Sequence, residues 1–429
     1  MLTGYDARRN PHTQSRGGLN MQSVMDKKKF RVYGYRWVVL GAFMLINITI
    51  QILWIAYAPI TGPAAHYYGV SDLQIGFLAM IFMIVYLPLS MPASWLIDTY
   101  GFRVAVSIGA VLMSIFGLLR GFAGANYNLV MLSTIGIALA QPFLLNAWTK
   151  VAARWFAESQ RATAVGLVTI ASLFGIAIGM ALTPVLILSL SISQVQLLYG
   201  FITVVTALLF FVFARESPPT QPCPEGMQVR ALMLDGLKSA LRVRQFWLFL
   251  MVSVIAMGIF NGLTTWIESI VRPRGFSPMD AGTLGALFLV GGAVGAYILP
   301  ALSDRFHKRK LFLLISMLGG LPGIVGLAYG TSMVVLSIAV FFIGFFIVSA
   351  GPVGMQYAAE ITYPTPEGTS NGLIQLFGQA SVVFVYIMEA MKTPDGSFTP
   401  ALLVSLGLLV ISTLIITRLR DKEAIPVKT

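Results

Sequence analysis

Apolar and polar positions alternate along this chain in blocks, each apolar block about as long as a bilayer is thick. Twelve apolar runs lie near residues 37–61, 73–97, 103–124, 127–150, 160–189, 194–214, 245–269, 279–303, 309–330, 332–358, 367–390 and 398–417. A helix of about 20 residues crosses a hydrocarbon core of about 30 Å. A backbone in lipid must satisfy its polar groups internally, so each run is predicted to be a helix. The fold class that follows is an all-α polytopic membrane protein with twelve transmembrane helices. Six runs precede the polar stretch Arg215–Arg244 and six follow it. That stretch opens on the proline-rich breaker "ESPPTQPCPEG". It continues as "ALMLDGLKSALRV", whose helical spacing and polar face predict a short helix on the membrane surface. The chain divides into a basic tail (1–36), a first six-helix half (37–214), a linker (215–244), a second half (245–417) and a C-terminal tail (418–429).

Composition agrees: only 11% of residues are charged, against about 25% in soluble proteins. An even number of spans puts both termini on one face. That face collects 25 of the 29 basic residues, leaving Arg120, Arg272, Arg274 and Lys392 on the other. Such a split predicts that both termini are cytoplasmic in a plasma or inner membrane. It also accounts for the net charge of +12, so no nucleic-acid partner is expected. The first 36 residues are polar and basic, and no removable signal peptide is expected. Cys223 is the single cysteine, which excludes an intrachain disulfide and a cysteine-based zinc cluster. His12, His66 and His307 stand apart in tail and loops. Neither a metal, a cofactor nor an enzymatic site is expected.

Two charged knots interrupt the apolar pattern, "SWLIDTYGFRV" (Ser94–Val104) and "PALSDRFHKRK" (Pro300–Lys310). Asp304 follows Asp98 by 206 residues, and Arg309 follows Arg103 by the same interval. The offset recurs between Ala152–Ala153 and Ala358–Ala359, and between Gly166 and Gly372. Two parallel six-helix halves with a substrate path between them is the architecture of the major facilitator superfamily. The knots resemble its loop motif, G-x-L-x-D-[RK]-x-G-[RK]-[RK]. Leu96, Asp98, Gly101 and Arg103 match in the first copy, with Ser94 at the opening glycine. Leu302, Asp304, Arg305 and Arg309 match in the second, with Pro300 and His307 at glycine positions. An aspartate at a helix end accepts hydrogen bonds from an arginine and from free N–H groups of a neighbouring helix. Asp98, Arg103, Asp304, Arg305 and Arg309 are therefore expected to form a cytoplasmic gate. The plainer alternative is a set of topogenic charges and helix caps, which fits Arg305, Lys308 and Lys310.

Longer strings carry a closer resemblance. "LWIAYAPITGPAAHYYGVSDLQIGFLAMIFMIVYLPLSMPASWLID", "QPFLLNAWTKVAARWF" and "EITYPTPEGTSNGL" are similar to the feline leukaemia virus subgroup C receptor family of facilitators. That resemblance implies a carrier of choline or ethanolamine, with haem export also proposed for the family. It further implies a site built from a tryptophan in span 1, an aromatic in span 7 and glutamines in spans 5 and 11. Trp54 and Gln379 match the first and last. The span 7 aromatic falls near Phe260 or Asn261, and the span 5 glutamine falls on Leu173, a departure. Trp54 and Phe260 are 206 residues apart, as are Leu173 and Gln379.

The residues themselves lead to the same region. Asn47, Gln51 and Trp54 share one face of span 1; Asn371, Gln375 and Gln379 share one face of span 11. At about 1.5 Å per residue, Gln51, Trp54, Phe260, Asn261 and Gln379 lie near mid-depth. Polar groups there face another helix or a wet cavity. Aromatic faces with amide carbonyls suit a small cation, and the same rings can stack on a planar organic acid. No ionisable residue falls at mid-depth. Glu268 and Glu389 fall near the outer ends of spans 7 and 11, as solvated rim carboxylates, an acidic vestibule or a coupling site. Trp266 beside Glu268 fits an interfacial belt. The expected activity is alternating-access transport by a monomeric uniporter of a small organic cation. The alternatives are a proton-coupled transporter of an organic anion or other metabolite, and a haem or porphyrin exporter.

Overall fold

The computed structural model describes residues 32–220, 234–363, 365 and 367–420. Most of the basic N-terminal tail, Cys223 and the end of the C-terminal tail lie outside them. Among the described residues, twelve helices are long and apolar enough to cross a membrane. The first half holds span 1 (Arg36–Tyr68), span 2 (Asp72–Tyr100), span 3 (Phe102–Phe122), span 4 (Tyr127–Trp155), span 5 (Thr163–Leu186) and span 6 (Ile192–Phe213). The second holds span 7 (Arg244–Arg274), span 8 (Pro278–Phe306), span 9 (Arg309–Tyr329), span 10 (Met333–Thr362), span 11 (Thr369–Ala390) and span 12 (Thr399–Arg418). The helix Leu234–Arg242 precedes span 7, where the linker pattern predicts one. We call the side carrying the chain ends the terminal face and the opposite side the distal face.

Span 1 runs past its expected end at 61. Pro63 falls in the first turn of a helix, Thr61–Tyr68. Its missing N–H would have had no helical partner there. The true interruption lies just before. The helix Arg36–Ile55 stops, a short 3-10 turn covers Ala58–Ile60, and the helix then resumes. Pro59 has no N–H to offer the Ile55 carbonyl, which is the local cause. Span 11 also breaks, near its middle, between Glu367–Gln379 and Val382–Ala390. The turn there tightens to i→i−3 bonds, Ala380 N–H to Phe377 O (3.0 Å) and Ser381 N–H to Gly378 O (3.1 Å). Non-helical backbone at membrane depth is tolerated where it meets protein or a wet cavity, and broken spans mark the binding centres of many carriers.

The 206-residue repeat extends to caps and turns. Ser71 Oγ accepts from Gln74 N–H (3.3 Å) while Gln74 Oε1 accepts from Ser71 N–H (3.0 Å). Ser277 and Asp280 repeat this capping box at 3.2 and 2.8 Å. Asn126 and Ser332 cap spans 4 and 10 in the same register. Positive φ values recur likewise, at Gly69 (67°) and Gly275 (84°), and at Gly101 (90°) and His307 (54°).

His307 is the only non-glycine residue with positive φ among those described, and it occupies a glycine position of the loop motif. A Cβ in that region costs about 1–2 kcal/mol. Part of the relief on removing it is offset by the entropy glycine gains in the unfolded chain. His307→Gly should therefore raise the melting temperature of the purified protein by about 1–2 °C, and His307→Ala should not. A thermal unfolding scan in detergent measures both. A loss of stability in His307→Gly would mean that the imidazole makes a contact worth more than the strain.

The halves meet along spans 5 and 8, and along span 2 against spans 7 and 11. Span 2 touches both segments of span 11, and the closest approaches at glycines lie in the distal parts. A Cβ on Gly282 of span 8 would stand 2.5 Å from the Met180 carbonyl oxygen of span 5. Trp266 is fully buried, not part of an interfacial belt. Its ring lies on Gly76 of span 2, where a Cβ would stand 2.1 Å from it. Its Nε1–H donates to Val385 O of span 11 at 2.9 Å. The notch at Gly76 and that carbonyl together satisfy both the bulk and the donor of the indole.

Candidate functional site

The wall contributed by the first half centres on span 1. Gln51 and Trp54 are both buried. Trp54 donates its Nε1–H to the Ala79 carbonyl of span 2 at 3.2 Å. That bond commits the indole's one donor. Gln51 packs against span 5, where a Cβ on Gly175 would stand 3.0 Å from the Gln51 Cβ. Its Oε1 is buried with no partner among the described residues, as are Gln141 Oε1 of span 4 and Ser172 Oγ of span 5. Buried oxygens normally find donors, so this half carries unused acceptor capacity on three spans. Gln141 and Ser172 are absent from the expected site. Gln141 lies in a string the family resemblance covers, beside Pro142, and its polarity in an apolar run was the available signal. Asn47 is a brace: its Nδ2 donates to Phe43 O (2.9 Å) and its Oδ1 accepts from Trp148 Nε1–H (2.8 Å). Leu173 is half-buried and packs on the apolar core.

The wall contributed by the second half centres on spans 7 and 11. Phe260 is half-buried and tilted against Phe288 of span 8, ring centroids 5.5 Å apart. Asn261 is buried, and its Nδ2 donates to Ser381 Oγ at 2.9 Å. It therefore braces the break in span 11, with its donor already used. Gln379, half-buried, is the last residue before that break. Among the described residues no hydrogen bond or ring contact links Gln51 or Trp54 with Phe260 or Gln379. The four stand on separate halves, as the two walls of one path would.

Distal to these walls, charges join the halves. Asp72, the first residue of span 2, pairs with Arg272 of span 7 and with Lys392 beyond span 11, the latter at 2.9 Å. Glu268 lies 3.5 Å from Arg272 and accepts the Gly62 N–H at 3.2 Å; Glu389 pairs with Lys392 at 3.3 Å. Gly62 and Glu268 are themselves 206 residues apart. Repeat-related positions meet only where they flank the pseudo-two-fold axis, so the distal tips of spans 1 and 7 lie on it. Glu268 is 1% exposed, not a solvated rim carboxylate. Span 7 continues to Arg274, which places Glu268 one turn inside the helix end and beneath Arg272. Glu389 is tied to Lys392 beside it. In this conformation both carboxylates belong to a closure, not to an open vestibule. Asp72, Arg272 and Lys392 are the members that the sequence reading misses.

At the terminal face the knots are engaged within their own halves. Asp98 accepts from Lys150 Nζ at 2.8 Å. Asp304 pairs with Arg309, whose Nε also reaches Glu360 (3.1 Å) and whose Nη1 reaches Ser303 Oγ (3.1 Å). Arg305 is exposed. Arg103 does not pair with Asp98: its Nη2 donates to Phe211 O at 3.4 Å. The N–H groups that open span 3, at Phe102 and Arg103, donate to Glu216 of the linker at 3.2 and 2.7 Å. Glu216 thus fills the capping role expected of an aspartate. Burial pushes its carboxyl above the usual range, against these hydrogen bonds and the nearby Arg154 and Lys150.

Residues 38–386 match the Major Facilitator Superfamily. Solute carrier family 49 member A3 of Danio rerio is 30% identical over 387 residues, covering 86% of this chain and 81% of that protein. Choline/ethanolamine transporter FLVCR1 of Felis catus is 29% identical over 388 residues, covering 84% and 68%. Among solved structures, a bacterial homologue of the human lysosomal transporter Spinster, inward-facing and unoccupied, superposes with a TM-score of 0.73. It is 15% identical and covers 90% of this chain and 97% of its own. A bundle of twelve spans in two repeat-related halves, matched by the family and by the solved transporter, is the structure of a membrane transporter and not of an enzyme. The chain belongs to the major facilitator superfamily, within the family of the feline leukaemia virus subgroup C receptors.

Proposed function

We propose that this transporter is a monomeric facilitative carrier of a small organic cation of the choline or ethanolamine type. The single observation that carries the reading is the state of Trp54. Its N–H is spent on Ala79, so it recognises a ligand through its ring face, and ring faces attract cations. The unpartnered oxygens of Gln51, Gln141 and Ser172 suit the hydroxyl or ammonium donors of such a molecule. Relatives bearing the name choline/ethanolamine transporter support the same class. Leu173 in place of a glutamine marks a difference in how this chain holds the polar end of its substrate.

The distribution of basic residues supports cytoplasmic termini in a plasma or inner membrane. The distal closure then lies on the extracytoplasmic side, and the conformation is closed to the outside. Tags at residues 220 and 394 should be reached from the cytoplasm and from outside, respectively; detection of both on one face would overturn this orientation.

No carboxylate of the described spans lies at mid-depth, and Glu268 and Glu389 are held in the closure. That supports a uniport. In proteoliposomes, choline uptake should rise with an inside-negative potential, which contributes about 2.3 kcal/mol per 100 mV to a monovalent cation. A pH gradient at clamped potential should change the initial rate little. Accumulation driven by a proton gradient alone would refute the uniport and make Glu268 or Glu389 the proton carrier. Absence of choline and ethanolamine flux under every gradient would refute the substrate class.

A further inference from the structure

Arg120 lies near the distal end of span 3 and is 1% exposed. No carboxylate among the described residues lies within ion-pair distance of it. Two of its three guanidinium nitrogens, Nε and Nη2, lack partners as well. Burying a guanidinium without a counter-ion is unfavourable, so a membrane helix that carries one does so for a specific interaction. Its contacts identify that interaction. Nη1 donates to the Leu53 carbonyl of span 1 at 3.1 Å. The guanidinium carbon lies 5.5 Å from the centre of the Tyr57 ring, whose hydroxyl in turn meets that of Tyr68 at 3.0 Å.

These two contacts fall on either side of the break in span 1. The helix Arg36–Ile55 ends between them, so the Leu53 carbonyl is one of the last four that no helical N–H can satisfy. A cation at that position also meets the negative end of the helix dipole. Tyr57 belongs to the turn that follows. Before the break, next to Leu53, stands Trp54. After it, at the distal tip, stands Gly62 with its hydrogen bond to Glu268 across the axis. Glycines draw span 6 tightly onto the outer side of this region: a Cβ on Gly121 would stand 2.4 Å from the Leu197 Cα. Span 3 has little room to shift, and Arg120 acts from a fixed base.

We propose that Arg120 is a positioning residue that clamps the break in span 1, setting the Trp54 ring in the path and coupling it to the distal closure. The inference rests on the reading of Trp54 as the substrate contact, and its test separates the two. Binding of choline to the purified full-length protein is measured for Arg120→Met, Arg120→Gln and Arg120→Lys, alone and with Trp54→Ala. Arg120→Met should weaken binding about 10-fold, by misplacing a ring whose desolvated contact is itself worth about 30-fold. Arg120→Gln, which keeps a donor for Leu53, and Arg120→Lys, which keeps a charge and a donor, should each lose less. In the Trp54→Ala background, Arg120→Met should add less than about a 2-fold loss, because the ring it positions is gone. A merely structural defect would multiply instead. Full additivity, or wild-type affinity in a folded Arg120→Met, would overturn the proposal.

If the wild-type protein binds no choline, the substrate reading fails and the clamp is read without substrate. Spin labels at His66→Cys and Met279→Cys, both exposed distal positions, in a Cys223→Ser background, report the separation of the distal tips. Arg120→Met should broaden that distribution towards longer distances, and Arg120→Lys should restore much of it. An unchanged distribution would reject the clamp independently of any substrate.

Discussion

Trp54→Ala should weaken choline binding by about 30-fold or more, the largest loss for any single side chain of the two walls. A cation over a desolvated aromatic face gains roughly 2 kcal/mol or more, and each 1.4 kcal/mol is tenfold. Trp54 is buried and its N–H is already bonded to the Ala79 carbonyl, so truncation removes a ring face from the path rather than a hydrogen bond to the ligand. Trp54→Phe keeps a weaker face and should lose less. Gln379→Ala removes a polar contact worth about 1 kcal/mol, about fivefold. Calorimetric titration of purified protein, with thermal unfolding as a control for folding, distinguishes these cases. Equal losses in Trp54→Phe and Trp54→Ala would mean that the indole edge or its shape is what the ligand meets. Normal affinity in a folded Trp54→Ala would remove Trp54 from the site.

The spans were legible because lipid imposes one strong, local requirement, a continuous apolar helix, and each run declares itself. The repeat was legible because its register is kept through both halves, from Asp98 and Asp304 down to the paired caps of Ser71 and Ser277. Trp54 and Gln379 were legible as polar or aromatic exceptions at mid-depth. What remained hidden depends on how the halves dock. Asp72 reads as an ordinary acid at a helix start; its partners lie 200 and 320 residues away. Glu268 reads as solvated until Gly62, across the axis, supplies it with an N–H. Trp266 reads as an interfacial anchor because the notch that receives it is the absence of a side chain at Gly76. The break in span 11 has no proline to announce it; Asn261, from another helix, bonds into it. Glu216 lies in a linker whose composition signals only a turn, yet it caps span 3. In each case the deciding partner is remote in sequence, and a local pattern has no means of expressing it.

Asp72→Asn should shift the carrier towards a state open at the distal face, by about 10- to 30-fold in population. Asp72 is the carboxylate from the first half that holds two cations of the second, Arg272 and Lys392. Removing its charge leaves those cations to share Glu268 and Glu389, which come from their own half, so among the described residues the only polar tie across the seam left in this cluster is the Gly62 N–H to Glu268. The loss falls on the closed state alone, because in the open state all five groups reach water. Breaking a fully buried pair costs about 3–5 kcal/mol, whereas exposed pairs are worth up to about 1. The Asp72 side chain is 15% exposed and that of Arg272 37%, so about 1.5–2 kcal/mol is the expected effect. Spin labels at His66→Cys and Met279→Cys should then show a longer distance as the main population. Turnover should fall, since the cycle must pass through the closed state that Asp72→Asn disfavours. Apparent affinity from the distal side should improve, because a larger fraction of the protein presents the site there. Arg272→Gln should do the same to a smaller degree, since Lys392 still holds Asp72. If Asp72→Asn keeps the wild-type distance distribution and turnover, the charged cluster is a passive feature of packing. Closure would then rest on the apolar seam of Trp266, Gly76 and Gly282, and Gly76→Ala should open it instead.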